Sequence, residues 1–594
     1  MKILTKIIFL LLLAFALFKI SFINNLILKY MLCAFVFIVI FITLFIENMI
    51  WNLLNMGFIL NYEQGQYSKA TNIAHEAINF AKKSFAPTST KITTSLSNLA
   101  LIYNSQSNYT SAIATIEETI TLHKKAKRGN HLDLARDLSI LAGFYRIQSK
   151  FKESEELYKQ ALEIFQKSSN KINPNITSAM SGLAQLYKHT GKYSESETLY
   201  RQALQINKKL LKPNHSNIAA LLNGLAGLYE LLGKYTDAEE LFNEALEIDE
   251  KAHGKDHPDV ATSLNNLAGL YLSQGKYDKA EPLFKRALEI DRKVFGKDHP
   301  DIATSLNNLA GLYLAQGKYD LSETIYMQAL AILEKKLGKD HPTVATSLNN
   351  LAALYDSLGK YDQIEELYKR VIDIRKKTFG NEHPNVAASL NNLATLYSIQ
   401  KRYSEGVGLY KEALEIDEKT LGLDHPNVAR DLNNLAALYR AQGLNDEVEA
   451  LYKRALEIRI KALGEDHPNV ATSYNNLAGL YGAQKKYTEA ESFCKRAIEI
   501  LEKAHGKNHL GVTTSYNNLA GIYSAQGKYE EAEALYKKTL EIREAILGKE
   551  HPDIVNVLTN MADLYFKINK KDEAEKLLER AKRIEVKTSS KITP

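Results

Sequence analysis

A 42-residue sequence unit repeats without insertion or deletion across most of this 594-residue chain. The repeat that starts at His257-Pro258 is followed by a close copy that starts at His299-Pro300. On the same grid, repeats start at positions 89, 131, 173, 215, 257, 299, 341, 383, 425, 467, 509 and 551. A fixed period of this size is typical of a solenoid, in which similar hairpins stack in a row. The twelve repeats fill residues 89–592 and leave a two-residue tail, 593–594.

Each repeat is predicted to form two amphipathic helices, because its apolar residues recur at helical spacing. In the repeat that starts at 257, the first apolar face comprises Leu264, Leu267, Ala268 and Tyr271, and the second comprises Ala280, Leu283, Phe284, Ala287 and Leu288. The segment 274–276 is the predicted turn. Pro258 suits a helix start capped by Asp256 or His257, and Gly296 suits a helix end. One such hairpin has too little apolar surface to fold alone, so neighbouring repeats must share a core.

These residues resemble the tetratricopeptide repeat. The family's pattern of a large residue, Leu, a small residue, Tyr, Ala, an aromatic residue and Ala matches Leu264, Leu267, Ala268, Tyr271, Ala280, Phe284 and Ala287. The eight residues beyond the family's usual 34, with the His-Pro and Asn-Asn signatures, look most like the kinesin light chain type of repeat. The resemblance implies an all-α, right-handed superhelical solenoid of helix-turn-helix repeats. It says less about function, because repeat arrays of this kind bind many unrelated partners.

Residues 1–46 differ in composition from the repeats and are predicted to anchor the chain in a membrane. The segment 7–18 is an unbroken apolar run, and 30–46 is long enough to approach a transmembrane helix. One interpretation is a membrane hairpin that turns at 24–25, which returns the array to the cytoplasmic side. A single span over 30–46 would instead export the array, because the lysines that precede it favour the inner side. A third interpretation is a secretory signal that is cleaved after 14–16.

Residues 47–88 continue the 42-residue grid in a degenerate form. Their second half matches a second helix of the repeat, whereas the first half matches the pattern poorly. We therefore expect a capping half-repeat that joins the membrane anchor to the twelve repeats.

Charge and cysteine content exclude several classes of function. The chain carries a net charge of +6, but four of its lysines precede Glu47, so the rest carries only +2. A nearly neutral array argues against nucleic-acid binding, which needs a concentrated basic surface. Its two cysteines, Cys33 and Cys494, can form neither a disulfide framework nor a metal site. Cys494 occupies a core position of its repeat and is expected to be a buried apolar side chain.

The sequence contains no complete catalytic or cofactor-binding motif. Gly227 and Gly233-Lys234 suggest a phosphate-binding loop, but the spacing is one residue too long and Tyr235 replaces the Ser or Thr that would bind magnesium. The histidine that begins most repeats is expected at the start of a helix, since adjacent copies are too far apart to share a metal ion. We therefore expect no enzyme activity, no cofactor, no metal and no small-molecule substrate.

A pair of asparagines in the middle of the first helix is the most informative polar feature. The pairs are Asn265 and Asn266, Asn307 and Asn308, Asn349 and Asn350, Asn391 and Asn392, Asn433 and Asn434, Asn475 and Asn476, and Asn517 and Asn518. Asparagine is a middling helix former, so its recurrence there needs a reason. An amide can both donate to and accept from a peptide backbone, and a small residue three or four positions later would allow a backbone to approach. The resemblance implies that first helices line a concave groove whose asparagines hold extended peptides. The alternative is that one asparagine of each pair links neighbouring repeats.

The sequence thus predicts a membrane-anchored scaffold that binds extended peptide segments of partner proteins. An exported or surface-displayed array that engages proteins outside the cell is an alternative. A motor–cargo adaptor of the kinesin light chain type is a further one, although an apolar leader stands where that family has a heptad coiled coil.

Overall fold

The structure is a computed structural model that describes residues 26–64, 66–125, 131–167, 174–444 and 447–590. Within these residues every regular element is a helix. The predicted all-α fold of tandem helical hairpins is confirmed. The predicted apolar segment 7–23, the turn at 24–25 and the tail 593–594 lie outside the described residues. The chain divides into two compact parts, Met1–Gly182 and Leu183–Pro594, which are described in turn.

The N-terminal part begins with one long apolar helix followed by shorter hairpin helices. Its elements are α1 (Leu26–Glu63), α2 (Tyr67–Ser84), α3 (Thr90–Ser105), α4 (Tyr109–Lys125), α5 (His131–Ile147), α6 (Phe151–Lys167) and the start of α7 (Pro174–His189).

Helix α1 combines two surfaces of different character. Residues 34–62 are long and apolar enough to cross a membrane, with a mean hydropathy of 2.3 in the best window. Large side chains on this surface remain exposed, such as Phe37 at 71%. Further along, Phe58 is buried against α2, and Asn98 of α3 donates to Asn55 at 2.6 Å. The second half of α1 therefore serves as the first helix of the degenerate half-repeat, without a break after residue 46.

The C-terminal part continues the hairpins in strict alternation. Its helices are α8 (Tyr193–Leu210), α9 (Ser216–Leu231), α10 (Tyr235–His253), α11 (Pro258–Ser273), α12 (Tyr277–Phe295), α13 (Pro300–Ala315), α14 (Tyr319–Leu337), α15 (Pro342–Ser357), α16 (Tyr361–Phe379), α17 (Pro384–Ile399), α18 (Tyr403–Leu421), α19 (Pro426–Ala441), α20 (Val448–Leu463), α21 (Pro468–Ala483), α22 (Tyr487–His505), α23 (Leu510–Gln526), α24 (Tyr529–Leu547), α25 (Val555–Lys567) and α26 (Lys571–Ser590). A single 3₁₀ turn, Pro552–Ile554, precedes α25.

Local sequence signals set the helix ends, as the repeat that starts at 257 shows. His257 caps α11, because its Nδ1 accepts a hydrogen bond from the backbone N–H of Asp259 at 3.2 Å. The helix that follows ends at Gly296, whose φ of 80° lies in the left-handed region that favours glycine. The turn between the helices closes at Gly275, where φ is 68°. The predicted cap, turn and end are all confirmed.

Neighbouring hairpins share one apolar core. Around the repeat that starts at 341, a single buried cluster unites Ala352 of α15, Ile364 of α16 and Leu390 of α17. Three successive helices thus bury each other's apolar faces, as expected for hairpins that cannot fold alone. Cys494 lies in the next cluster along the chain and is fully buried, and burial raises the pKa of its thiol to about 12. Its predicted role as a buried apolar side chain is confirmed.

A row of histidines connects repeats that are distant in sequence. Nε2 of His425 lies 2.9 Å from the carbonyl oxygen of His189. Nε2 of His467 lies 2.5 Å from the carbonyl oxygen of Leu231, and Nε2 of His509 lies 2.8 Å from that of Gln274. Each of these histidines also caps its own helix through Nδ1, so the imidazole proton sits on Nε2 and is donated to the carbonyl. The acceptors lie at the ends of first helices, where carbonyls run out of helical partners. We call these contacts the histidine seam (His425, His467 and His509).

Replacing a core leucine should destabilise this array locally. Leu351→Ala in α15 removes a side chain that is 3% exposed and should lower the free energy of unfolding by about 2–5 kcal/mol. Hydrogen–deuterium exchange should show the loss of protection in residues 341–382 and their neighbours, because each repeat contacts mainly the next. Leu321→Ala is the matched control, since Leu321 is 44% exposed and its removal should cost little. A loss spread evenly over all repeats would contradict the shared-core account.

The histidine seam should make the stability of the C-terminal part fall in mild acid. Burial lowers the pKa of the His425 imidazole to about 4, with Arg430 lowering it further and the His189 carbonyl opposing the shift. The unfolded chain takes up a proton near pH 6.5 and the folded chain does not, so stability is complete above that pH and is lost as the pH falls toward 4. We expect His425→Gln to flatten this dependence by on the order of 1–3 kcal/mol in denaturant titrations at pH 7.5 and 5. His257→Gln, which removes a cap of the same kind, is the matched control. Equal slopes in the two variants would refute the seam.

Candidate peptide-binding groove

The asparagine pairs lie side by side on the first helices of the C-terminal part. Most of these side chains are half-buried, and only Asn391 and Asn433 are buried. The two members of a pair have different surroundings, so they are described separately.

The first asparagine of a pair links neighbouring repeats. The Nδ2 group of Asn265 donates to the Ser305 hydroxyl at 3.0 Å, and that of Asn475 donates to the Ser515 hydroxyl at 2.8 Å. Asn391 instead donates to the carboxylate of Asp431 at 2.8 Å. Partner and donor are 40 residues apart in each case, so every bond joins consecutive first helices. At these repeats the structure gives the first asparagine the inter-repeat role that the sequence left as the alternative.

A serine of this row can also bind a buried polar residue of the preceding second helix. Ser305 donates to Asp291 at 2.6 Å, and burial raises the pKa of that carboxyl to about 6. Arg459 donates to Ser473 at 2.9 Å in the same way. Asn265, Ser305 and Asp291 thus form one hydrogen-bonded network across their interface. A buried network of this kind is costly to break, because each lost partner leaves a desolvated polar group.

The second asparagine of a pair has fewer partners inside the protein. In two repeats its Nδ2 group donates to a first asparagine: Asn434 to Asn391 and Asn476 to Asn433, both at 3.1 Å. In the other five pairs no side-chain hydrogen bond to a described residue ends on the second asparagine. These residues are Asn266, Asn308, Asn350, Asn392 and Asn518. Their half-buried amides keep donor and acceptor capacity for a molecule that approaches the first-helix surface.

Small residues keep space beside these amides. A Cβ atom added to Gly269, one turn after Asn265, would meet nothing within 4 Å. Near the C-terminal end, Asn517, Asn518 and Gly521 line a cavity of about 290 Å³. The same two asparagines line a larger cavity of about 1040 Å³, together with Asp356 and Arg543. The first-helix surface can therefore admit an extended chain next to the asparagines.

The two arginines that stand out on first helices have different surroundings. Arg430 contacts the buried carboxylates of Asp417 at 3.1 Å and Asp431 at 2.8 Å, so it neutralises an internal acidic pair. Burial and the mutual repulsion of the two carboxylates raise the pKa of Asp417. Arg440 is exposed and lies 3.0 Å from the position of an added Cβ on Gly479, along the same surface as the asparagines. Of the two, Arg440 is the one available to a ligand.

Comparisons with known proteins identify the type of repeat. The tetratricopeptide repeat model matches overlapping segments at 91–167, 133–209, 175–251, 217–293, 259–335, 301–377, 344–419, 385–461, 432–503, 469–545 and 511–584. No curated protein matches the chain. Among solved structures, BtubC (BKLC) from P. vanneervenii is 28% identical, with 38% of this chain and 91% of that chain covered and a TM-score of 0.34. Kinesin light chain TPR-like repeats of nearly identical sequence from Podosopora anserina are 31% identical, with 34% and 97% covered and a TM-score of 0.30.

Proposed function

Because this chain belongs to the tetratricopeptide repeat family, we propose that it is a protein-interaction scaffold that binds extended peptide segments of partner proteins along its first helices. Repeat arrays of this fold are typically scaffolds and not enzymes. The observation that carries the proposal is the set of five half-buried second asparagines whose amides have no side-chain hydrogen bond to a described residue. A peptide backbone offers such an amide both an N–H donor and a C=O acceptor, whatever the peptide's side chains are.

The spacing of the row fits an extended peptide. Consecutive first helices are direct neighbours, as the bond from Asn265 to Ser305 requires. Packed helices lie about 8–10 Å apart, and an extended chain advances about 3.3 Å per residue. One asparagine would therefore contact about every third residue of the peptide. The side chains between contacts remain free to set specificity.

Charged side chains at one repeat position supply a source of that specificity. Glu230, Asp356 and Arg440 occupy equivalent positions near the ends of their first helices. Desolvation raises the pKa of the Glu230 and Asp356 carboxyls. A peptide that pairs opposite charges with these three groups would be favoured over one that does not.

Peptide binding and repeat packing should respond to different asparagines. The variant with Asn308→Ala, Asn350→Ala and Asn392→Ala should lose partner affinity, because each lost hydrogen bond contributes about 0.5–1.5 kcal/mol. The combined loss should be on the order of 100-fold, measured by calorimetric titration of a partner peptide identified by cross-linking to the full-length chain.

The control for that experiment replaces first asparagines. Asn265→Ala, Asn391→Ala and Asn475→Ala remove bonds to Ser305, Asp431 and Ser515, so this variant should lose stability in denaturant titrations and retain its affinity under folding conditions. Equal affinity of the second-asparagine variant and the wild type would leave the second asparagines without a role in binding.

We further propose that the apolar region 7–46, which includes the start of α1, anchors the scaffold in a membrane. The long exposed apolar surface of α1 supports this, since soluble proteins rarely leave so large a patch in water. Our preferred topology places the array on the cytoplasmic side. A cleaved signal or an exported array are the competing outcomes.

The anchor can be tested by extraction and by glycosylation. Full-length protein should remain in the membrane pellet after an alkaline carbonate wash, whereas a fragment that starts at Ser89 should be soluble. Synthesis with microsomes should leave the acceptor sequences at Asn108, Asn175 and Asn214 unglycosylated if the array stays cytoplasmic. Carbonate release would exclude the anchor, and glycosylation would reverse the topology.

A further inference from the structure

Two histidines and an aspartate meet at the junction between the repeats that start at 215 and 257. His253 is the last residue of α10, His257 caps α11, and Asp259 lies in the first turn of α11. Gly254, with a φ of 83°, turns the chain between the two helices. The imidazole rings of His253 and His257 stack with their centroids 4.2 Å apart and their planes 17° from parallel.

The distances in this cluster suit a shared metal ion better than hydrogen bonds. Nε2 of His253 lies 3.4 Å from Oδ2 of Asp259, and Nδ1 of His257 lies 3.5 Å from the same oxygen. Good N–H···O bonds are shorter, at about 2.7–3.2 Å. Two ligands of a tetrahedral ion with bonds of about 2.1 Å are about 3.4 Å apart. The three donor atoms all lie within 4.8 Å of one another, and one ion would reach them all once the two imidazole rings rotate out of their parallel stack, because a bound ion lies in the plane of each ring.

We propose that His253, His257 and Asp259 form a binding site for a divalent transition-metal ion, Zn²⁺ in the first place. Two imidazole nitrogens and one carboxylate oxygen are ligands that Zn²⁺ prefers, and water would complete the tetrahedron. The side chains are 31%, 40% and 50% exposed, so an ion can enter and leave without unfolding the junction. Binding at Nδ1 of His257 replaces the 3.2 Å cap bond from the Asp259 backbone, which moderates the affinity.

The repeat that starts at 299 provides a natural control. Phe295 takes the place of His253 and stacks on His299 at 4.4 Å and 16°, and Nδ1 of His299 lies 3.5 Å from Asp301. This junction has the same geometry with one donor missing. It also shows that the stack needs only an aromatic ring at this position, so packing does not require His253 to be a histidine.

The repeat that starts at 509 lacks the other donor. His505 and His509 stack at 4.2 Å and 8°, but Gly511 replaces the aspartate. In addition, Nε2 of His509 is held by the Gln274 carbonyl in the histidine seam. Among these three junctions, the one at 253–259 alone combines both imidazoles with the carboxylate.

The test compares loss and gain of the site in the full-length chain. The protein is purified in mild detergent without a polyhistidine tag, stripped with a chelator, and titrated with Zn²⁺ against a chromophoric competitor. Co²⁺ replaces Zn²⁺ in a parallel titration, because tetrahedral Co²⁺ absorbs visible light. The wild type should bind one ion with tetrahedral Co²⁺ bands, and His253→Phe should bind none while keeping the helix content and melting temperature of the wild type.

The reciprocal variant makes the claim sharper. Phe295→His restores the missing donor at the next junction and should raise the stoichiometry from one ion to two. Binding in the wild type should also vanish near pH 5, where free imidazoles are protonated. A wild type that binds no ion, a His253→Phe variant that binds as well as the wild type, or a Phe295→His variant with no second ion would each overturn the proposal.

Discussion

The central constraint on this chain is that no helical hairpin can bury its apolar face without a neighbour. Several buried clusters unite side chains from consecutive repeats, as Ala352, Ile364 and Leu390 show. Every interface must therefore fit the next one, which explains why the 42-residue period tolerates no insertion over twelve copies. Such an array gains its stability from the interfaces between neighbouring repeats, and each added repeat contributes one more interface.

Hydrogen-bonded polar networks between the repeats constrain the register in which the apolar faces pack. The bonds from Asn265 to Ser305 and from Ser305 to Asp291 hold consecutive helices in one register, because hydrogen bonds require defined positions where apolar contacts do not. This internal use of one asparagine per pair leaves the other at the surface of the same helix. In the proposed scaffold, packing and peptide binding therefore fall to adjacent residues of the same helix.

Much of the fold could be predicted from local signals. The cap at His257, the turn at Gly275 and the end at Gly296 follow from residues within a few positions of each feature. The role of the first asparagine was harder to see, but a signal exists. Serine recurs two residues before the pair, and at Asp431 the serine is replaced together with its neighbour, which is now Arg430. The Asp417 carboxylate, which Arg430 contacts, is equivalent to Asp291, so the acidic member of the network is kept at that interface while the serine is replaced.

The histidine seam could not be predicted in the same way. The contact of His425 with the carbonyl of His189 spans 236 residues and depends on the small rotation that accumulates over successive repeats. No local sequence pattern predicts this accumulated rotation. The metal-site candidate was missed for a related reason, since His253 belongs to the end of one repeat and His257 to the start of the next. Equivalent histidines lie 42 residues apart, whereas the second imidazole of this cluster, His253, lies only four residues before His257.

The most direct measurement of the central claim is a double-mutant cycle between the array and the backbone of a bound peptide. A partner peptide is synthesised with a single amide replaced by an ester, which removes one N–H donor and leaves every side chain in place. If the second asparagines read the backbone, one ester position and Asn350→Ala should be strongly non-additive, with a coupling of about 1 kcal/mol. The ester and Asn391→Ala should be additive. Additivity of every ester position with Asn350→Ala would contradict backbone recognition by the second asparagines.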